Sequence, residues 1–331
     1  MYISVIIPTY NRVEKLERCL HHITNQSIGK DQYEIIIVDD CSKDFTPDFC
    51  KDYASQNENV RYVRNNVNKG LATTRNEGIR NAKGDLFLFL DNDLLVNQEF
   101  LEEHLKIYKK FPNEKLAVVS NITYPPQILT NTNFGSFIQS RAMGYRSKQD
   151  MEGINISDLP SNYFAGGGSS CRREDAYAIG LFEEGLKKYG SEDELFGYRF
   201  KNYGGRICFC ENAKIIHDDE NVLPQFWRTK YIELGRYSLR TLAEKEPELV
   251  NNSLYNFLMP INKEKDELTT RFKKTLIKLA SSSFFRVPVE KFVIHFDKVG
   301  AFNFPVLHRY LTVAWMKKGF DSDHAIEEVK Y

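Results

Sequence analysis

Residues 85–93 read DLFLFLDND, an apolar run that ends abruptly in two acids. Leu and Phe alternating over so short a run predict a strand that is buried on both faces. The same pattern occurs twice earlier, where ISVII at 3–7 leads into PTYN and EIIIV at 34–38 leads into DDCS. Strands of this kind indicate a sheet whose two faces are both covered by other elements.

Helical patterns separate these strands. The apolar residues from Val13 to Ile23 recur at three- and four-residue spacing, which is typical of a helix with one buried face. Further helices are predicted over 47–55, 68–82 and 98–111, and further strands over 60–64 and 116–120. Strands that alternate with helices predict an α/β fold, in which helices flank a mostly parallel central sheet.

Polar clusters follow three of the predicted strands, namely PTYN at 8–11, DD at 39–40 and DND at 91–93. Because the carboxyl ends of parallel strands meet at one edge of a sheet, we expect a ligand site at that edge. The alternative is that Asp and Asn follow strands because they form good turns. Three clusters at one edge, two of them with paired acids, favour the ligand site.

The sequence predicts no glycine-rich phosphate-binding loop at this edge of the sheet. Neither G-x-x-x-x-G-K-[ST] nor G-x-G-x-x-G follows the first strand. Asp91 and Asp93 instead offer hard oxygen ligands that suit a Mg²⁺ or Mn²⁺ ion bridged to phosphate. Lys69 and Arg75 would add positive charge, unless they are ordinary solvated charges on a helix face.

The composition excludes several classes of protein. With 42% hydrophobic and 27% charged residues over 331 positions, the chain is neither disordered nor of low complexity. Its 45 Lys and Arg balance its 45 Asp and Glu, so no nucleic-acid partner is expected. The first residues do not resemble a signal peptide, and no run of about 18 apolar residues occurs. Six cysteines without C-x-x-C spacing indicate reduced thiols, so we expect a cytoplasmic protein.

Several strings resemble family 2 glycosyltransferases of the GT-A fold. They match the nucleotide-binding half of the family in order and spacing, and they are SVIIPTYNR at 4–12, VDDCS at 38–42, NKGLATTRNEGI at 68–79 and DLFLFLDND at 85–93. A later set is similar to the acceptor half: FAGGGSS at 164–170, GSEDELFGYRF at 190–200 and KIIHDDE at 214–220. The resemblance is nearest to the branch that contains chondroitin-type polymerases and galactosyl- and N-acetylgalactosaminyl-transferases.

The resemblance implies a Rossmann-like GT-A catalytic domain over residues 1–220, with a helical C-terminal region over 221–331. Residues 1–120 would hold the nucleotide sugar, and residues 121–220 would hold the acceptor. The implied activity is metal-dependent, inverting transfer from a nucleotide sugar, a UDP-sugar by preference, to an acceptor hydroxyl in polysaccharide or glycoconjugate biosynthesis. Glycan, lipid-linked and other hydroxyl acceptors stay open.

The resemblance also assigns a donor site. The backbone at Pro8 and Thr9 and the ring of Tyr10 would hold the base, and Asp40 would accept a hydrogen bond from it. Asp91 would contact the ribose. The full donor set implied is Pro8, Thr9, Tyr10, Asp40, Lys69, Arg75, Asp91, Asn92, Gly166 and Gly167.

The metal site implied by the resemblance consists of Asp93 and His217. Both would bind a divalent cation, Mn²⁺ or Mg²⁺, on the donor diphosphate, and the pairing of imidazole with carboxylate slightly favours Mn²⁺. For His217 taken alone, the ordinary interpretation is a surface salt bridge.

The acids Glu192 and Asp193 resemble the family's ED motif, in which the Asp is the general base. A sugar hydroxyl is a poor nucleophile at neutral pH, so a positioned carboxylate must take its proton. Glu192 would orient the acceptor. A structural interpretation is also open, in which Ser191 caps a helix whose first-turn acids complement the helix dipole.

Gly166 and Gly167 resemble the segment where the family's backbone comes close to sugar and acceptor, since a Cβ would block that approach. A flexible turn is the alternative. A rival function is a non-catalytic sugar-nucleotide-binding subunit that supports another enzyme, although such a subunit has no need of Asp193. A nucleotidyltransferase would need a glycine-rich basic loop after the first strand, and PTYNRVEK is not one.

The remaining segments are less informative. Residues 121–163 are expected to form a lid or an acceptor loop, or an excursion without a role. The apolar residues from Phe272 to Phe284 share a face with Lys and Arg mostly opposite, which is typical of a helix on a membrane surface or of one docked on its own protein. Contact with the cytoplasmic face of a membrane and homo-oligomerisation through residues 288–320 both stay open.

Overall fold

The computed structural model describes residues 1–125, 132–140, 155–188, 190–218 and 224–322. Much of the segment predicted to be a lid or acceptor loop lies outside the described residues. The last two residues of KIIHDDE also lie outside them.

The strands are β1 (Ile3–Thr9), β2 (Tyr33–Asp39), β3 (Val60–Arg64), β4 (Leu86–Phe89), β5 (Leu94–Val96), β6 (Leu116–Thr123), β7 (Ser169–Arg172) and β8 (Arg206–His217). The helices up to residue 202 are α1 (Val13–Ile23), α2 (Thr46–Gln56), α3 (Leu71–Asn81), α4 (Phe100–Lys110), α5 (Asn133–Gln139), α6 (Arg173–Ala178) and α7 (Glu192–Asn202). The later helices are α8 (Pro224–Glu233), α9 (Leu239–Lys245), α10 (Pro247–Asn251), α11 (Leu268–Ala280), α12 (Ser283–His295) and α13 (Pro305–Asp321). The helices and strands predicted over the first 120 residues agree with these bounds to within three residues.

The strands form one mixed sheet in the order β3-β2-β1-β4-β7-β6-β8-β5. The four strands at the β3 end pair in parallel, and so do β6 and β8. β7 runs antiparallel between β4 and β6, and β5 runs antiparallel to β8. The prediction of an α/β fold with a mostly parallel sheet flanked by helices is therefore confirmed.

Alternate residues of the central strands enter two different cores. On β2, Ile35 and Ile37 pack into one hydrophobic cluster, while Ile36 packs into the cluster on the opposite face. All three are fully buried. Burial of such a side chain is worth about 1.5–3 kcal/mol, which explains why these strands read as unbroken apolar runs.

The chain divides into two compact units. The first takes in the described residues of 1–128, 138–187 and 192–220, and it contains the whole sheet. The second takes in those of 129–137, 188–191 and 221–331 and is helical, with Leu311 and Trp315 of α13 fully buried. No helix among the described residues is both long enough and apolar enough to cross a membrane.

Candidate active site

The three predicted polar clusters meet at one edge of the sheet because β2, β1 and β4 are parallel neighbours. Thr9 and Asp39 are register partners at the ends of their strands. Asn92 donates a hydrogen bond of 2.8 Å from Nδ2 to Thr9 Oγ1, and both residues are buried. The sequence prediction that these strand ends converge is thus confirmed by the topology.

Asp40 ties this edge to the start of α3. Its buried carboxylate accepts hydrogen bonds from the backbone N–H of Lys69 (2.8 Å) and of Gly70 (2.9 Å). The side chain of Asn65 donates a third at 2.9 Å. Gly70 has a φ of +86°, and a Cβ there would lie 2.7 Å from the carbonyl oxygen of Lys187, so glycine is required.

The other predicted donor residues lie close by but differ in their partners. Pro8 pairs with Val38 in the ladder, and Tyr10 is half-buried just beyond β1. Lys69 uses its side chain elsewhere, since its Nζ lies 3.2 Å from Glu77 Oε1. The charge of Lys69 is therefore already engaged on α3.

Arg75 is the cation at the centre of the site. It projects from α3, and its side chain is only 2% exposed. Nη2 donates to Asp91 Oδ1 at 2.8 Å, and Nη1 donates to Glu192 Oε1 at 3.0 Å. Burial alone would lower the pKa of Arg75, but the carboxylates of Asp91 and Glu192 outweigh burial and raise it. Arg75 therefore stays charged while it is buried.

The glycine run at 166–168 makes room for this cluster. A Cβ on Gly166 would lie 2.6 Å from Arg75 Nη1, and a Cβ on Gly167 would collide with the carboxylate of Asp91. The backbone N–H of Gly166 points to Asp193 Oδ2 at 3.4 Å. The space that glycine leaves here is filled by Arg75 and Asp91, which is a physical reason for glycine beyond a flexible turn.

Glu192 and Asp193 form the first turn of α7. Burial, reinforced by the charge of Asp193, raises the pKa of Glu192 to about 7, although Arg75 opposes the shift. Burial also raises the pKa of Asp193, again against Arg75. Asp193 Oδ1 accepts a hydrogen bond of 2.8 Å from the backbone N–H of Glu194. A buried acid and a half-buried acid, both with raised pKa values and both beside a buried cation, are typical of a proton-transfer site.

The helix cap expected at Ser191 is wrong. Ser191 has a φ of +72°, and its hydroxyl is buried without a hydrogen-bond partner among the described residues. The acids that follow it stay in the first turn of α7, where they can still complement the helix dipole.

The backbones of Asp93 and His217 are close to one another where β5 pairs with β8. His217 is the register partner of Leu94, the residue that follows Asp93, and the backbone N–H of Asp218 donates to the carbonyl of Asp93 at 2.7 Å. His217 stacks on Tyr124, with the ring centroids 5.0 Å apart. Its Nδ1 is buried and has no hydrogen-bond partner among the described residues.

A carboxylate and an imidazole are groups of the kind that can hold a cation whose other ligands are phosphate oxygens. Within the described parts of the chain, no three His, Cys, Asp or Glu side chains are grouped closely enough to hold a metal by themselves. A Mg²⁺ or Mn²⁺ ion on a diphosphate needs only one or two protein ligands. The buried nitrogen of His217 and the carboxylate of Asp93 can supply them.

Arg12 was missed by sequence reasoning. It lies between β1 and α1, and its Nη1 forms a salt bridge of 2.9 Å with Asp93 Oδ2. Its position directly after a strand end, inside the string PTYNR, was the available signal. Tyr124 was also missed, because no sequence pattern marks the ring that stacks on His217.

Known proteins resemble the chain in sequence and in fold. The profile of the family described as "Glycosyl transferase family 2" matches residues 4–177. Chondroitin synthase of Escherichia coli is 27% identical over 239 residues, which make up 66% of this chain and 34% of that protein. The chain spans between 34% and 65% of the length of the first curated relatives that it matches.

Two solved structures share the fold. Mannosyltransferase PcManGT from Pyrobaculum calidifontis, in complex with GDP-Man and Mn²⁺, superposes with a TM-score of 0.61 at 17% identity, covering 97% of this chain and 88% of that one. TarS 1-349 of S. aureus, in complex with UDP, superposes with a TM-score of 0.52 at 19% identity, covering 96% of this chain and 89% of that one.

Proposed function

Because the chain belongs to glycosyltransferase family 2, we propose that it moves a sugar from a nucleotide sugar to an acceptor hydroxyl with inversion at the anomeric carbon. The observation that carries this proposal is the cluster in which Arg75 hydrogen-bonds to Asp91 and Glu192 and in which the charge of Asp193 also acts on Arg75. It joins the strand end where a donor would bind to the helix that carries the predicted base. Residues 1–120 would form the donor half, residues 121–220 the acceptor half, and 221–331 a helical region.

The donor would bind along the carboxyl ends of β1, β2 and β4. Pro8, Thr9 and Tyr10 would hold the base, with Asp40 as acceptor for a base N–H. Asp40 already accepts three hydrogen bonds, so it is rigidly held for that role. A UDP-sugar is favoured because the fold resembles that of TarS, whose structure contains UDP. Asn92 and the glycine run would complete the donor site, together with Lys69 if its ammonium group leaves Glu77 when the donor binds.

Asp93 and His217 would hold the divalent cation, Mn²⁺ or Mg²⁺. When bound, the cation supplies positive charge to the donor diphosphate. The Mn²⁺ in the structure of PcManGT supports a divalent cation as cofactor. Arg12 now occupies one oxygen of Asp93 and would have to share it or move away.

Asp193 would act as the general base. It accepts the proton of the acceptor hydroxyl while the hydroxyl oxygen forms a bond to the anomeric carbon, and the bond from that carbon to the diphosphate oxygen breaks with its electron pair leaving on the diphosphate. One displacement of this kind inverts the configuration. Glu192, held by Arg75, would orient the acceptor or accept hydrogen bonds from its hydroxyls.

The cellular setting is part of the proposal. All six cysteines are free, and five of them are buried, which supports a reducing, cytoplasmic location. Polysaccharide or glycoconjugate biosynthesis would be the process served, with a glycan, a lipid-linked sugar or another hydroxyl compound as acceptor. Self-association stays open.

The test uses the full chain and a panel of UDP-sugars with Mn²⁺. We expect metal-dependent release of UDP from at least one of them, and retention of donor binding with at least about a hundredfold loss of transfer in Asp193→Asn. The matched control is Asp158→Asn, a carboxylate whose partner is Lys201. Normal transfer by Asp193→Asn would refute the base assignment. Donor binding without any turnover in the unchanged chain would favour the non-catalytic subunit.

A further inference from the structure

Helix α11 is turned so that its apolar side faces outward. Leu268, Phe272 and Leu279 fall on one side of the helix at intervals of four and seven residues, and they are 80%, 64% and 57% exposed. Lys274, by contrast, is only 4% exposed. A surface helix of a globular protein ordinarily does the opposite.

The polar side of α11 is held by specific bonds. Lys274 Nζ lies 2.7 and 2.9 Å from the two carboxylate oxygens of Asp266, and it donates to the carbonyl of Pro260 at 3.2 Å. Arg271 Nε donates to the carbonyl of Asp266 at 2.8 Å. These contacts fix the rotation of the helix, so the exposure of its apolar side is a property of the fold.

The exposed apolar residues continue from α11 into α12. Phe284 and Phe285 follow at the start of α12 and are 78% and 45% exposed. We call the resulting surface the apolar ridge, and it consists of Leu268, Phe272, Leu276, Leu279, Phe284 and Phe285. Six large exposed apolar side chains within 18 residues mark a surface that binds something apolar.

The charged residues of helix α11 itself are all positive. Helix α11 carries Arg271, Lys273, Lys274 and Lys278, and it has no acidic residue. Residues 221–331 carry 18 Lys or Arg against 13 Asp or Glu, whereas residues 1–220 carry 27 against 32. The neutral chain therefore concentrates positive charge in the part that contains the ridge.

We propose that the apolar ridge docks on an anionic lipid surface, with its Leu and Phe side chains among the acyl chains and the exposed Lys273 and Lys278 against the headgroups. Interfacial helices combine such an apolar face with Lys and Arg in this way. A second copy of the chain would bring the same positive charge against the ridge, and a nucleic acid would not bury Phe284. An anionic lipid surface matches both the exposed apolar side chains and the positive charge of α11.

The test is flotation of the full chain with vesicles of phosphatidylcholine alone or with 30% phosphatidylglycerol. Binding should require the anionic lipid and should weaken as salt is raised. Phe272→Ser with Phe284→Ser should reduce binding at least about tenfold. Lys273→Gln with Lys278→Gln should reduce it roughly 25-fold, about fivefold for each charge.

Matched controls lie in the first unit. Phe45→Ser removes an aromatic side chain that is 80% exposed, and Lys30→Gln with Lys51→Gln removes two exposed charges. These variants should float like the unchanged chain. Equal loss in the controls, binding that is indifferent to lipid charge, or a ridge-dependent dimer in solution without vesicle binding would each overturn the proposal. Vesicle binding is measured without donor or acceptor, so its outcome is separate from that of the proposed transfer reaction.

Discussion

Arg75 Nη1 donates a hydrogen bond of 3.0 Å to Glu192 Oε1 across 117 residues of sequence. Since Arg75 also holds Asp91, one guanidinium fixes both the proposed donor edge and the proposed acceptor helix. The positive charge of Arg75 explains how Glu192 and Asp193, whose pKa values are raised, can lie close to the carboxylate of Asp91.

Replacing Arg75 by Met should damage both stability and catalysis. The change keeps the bulk of the side chain but leaves two carboxylates without their cation, which should lower the free energy of unfolding by about 3–5 kcal/mol. It should also raise the pKa of Glu192 and Asp193 further, because the charge that opposes their shift is gone. The acidic limb of the pH–rate profile should then move to higher pH. Arg80→Met, at an exposed ion pair, is the control.

Glu192 should make the folded chain less stable as the pH rises from about 4.5 to about 7. The pKa of Glu192 is higher in the folded chain than in the unfolded chain, so Glu192 loses its proton in the unfolded chain first. The free energy of unfolding therefore falls over that interval. Asp193 contributes with the same sign. Urea titrations should therefore show that Glu192→Gln gains stability relative to the unchanged chain on going from pH 5 to pH 8. The exposed Glu17→Gln should show no such gain, and an equal gain in both variants would contradict the assignment.

Gly167→Ala should disrupt the site from within the backbone. The added methyl group meets the carboxylate of Asp91, so Asp91 or the loop must move, at a cost of about 1–3 kcal/mol. Donor affinity should fall with it. Gly300→Ala is the matched control, because a Cβ there meets nothing within 4 Å. Thermal unfolding and UDP binding measure the two effects, and a silent Gly167→Ala would show that the close approach to Asp91 is unimportant.

Arg12 should compete with the divalent cation for Asp93. The Arg12 side chain is half exposed and Asp93 is buried; with the pair taken at the upper end of the range for solvent-accessible pairs, about 1 kcal/mol, Arg12→Gln should raise Mn²⁺ affinity by about fivefold. Asp93→Asn should weaken Mn²⁺ binding strongly, and His217→Ala should weaken it as well. Calorimetric titration of Mn²⁺ in the presence of UDP checks these changes without turnover. Transfer that continues undiminished in a chelator would rule out the metal assignment.

Sequence reasoning predicted the parallel part of the sheet because apolar runs and helical periodicity dominate there. It did not predict β7, whose residues SSCR lack any hydrophobic alternation. On that strand Ser170 Oγ lies 2.8 Å from His104 Nδ1, whereas the buried hydroxyl of Ser169 has no hydrogen-bond partner among the described residues. Such partners are far apart in sequence and leave no local pattern.

The candidate site, like the fold, could be predicted from the sequence only in part. Acids at strand ends could be predicted as neighbours, since parallel topology alone brings them together. The roles of Arg12 and Arg75 depend on which carboxylate each guanidinium reaches, and no spacing rule encodes that choice. The alternative in which Ser191 caps α7 failed because the backbone of Ser191 is left-handed and its hydroxyl has no hydrogen-bond partner among the described residues.

The insertion of β7 between β4 and β6 has a consequence for biosynthesis. During synthesis one edge of β4 and one edge of β6 stay unpaired until β7 has been made, about fifty residues after β6. The other edge of β6 stays unpaired until β8 has been made. A ribosome that stalled near residue 125 would leave open, hydrogen-bonding edges of the kind that attract other chains. Residues 1–120 alone should therefore leave strand edges unpaired, and these edges are all paired only once β8, which ends at His217, has been made.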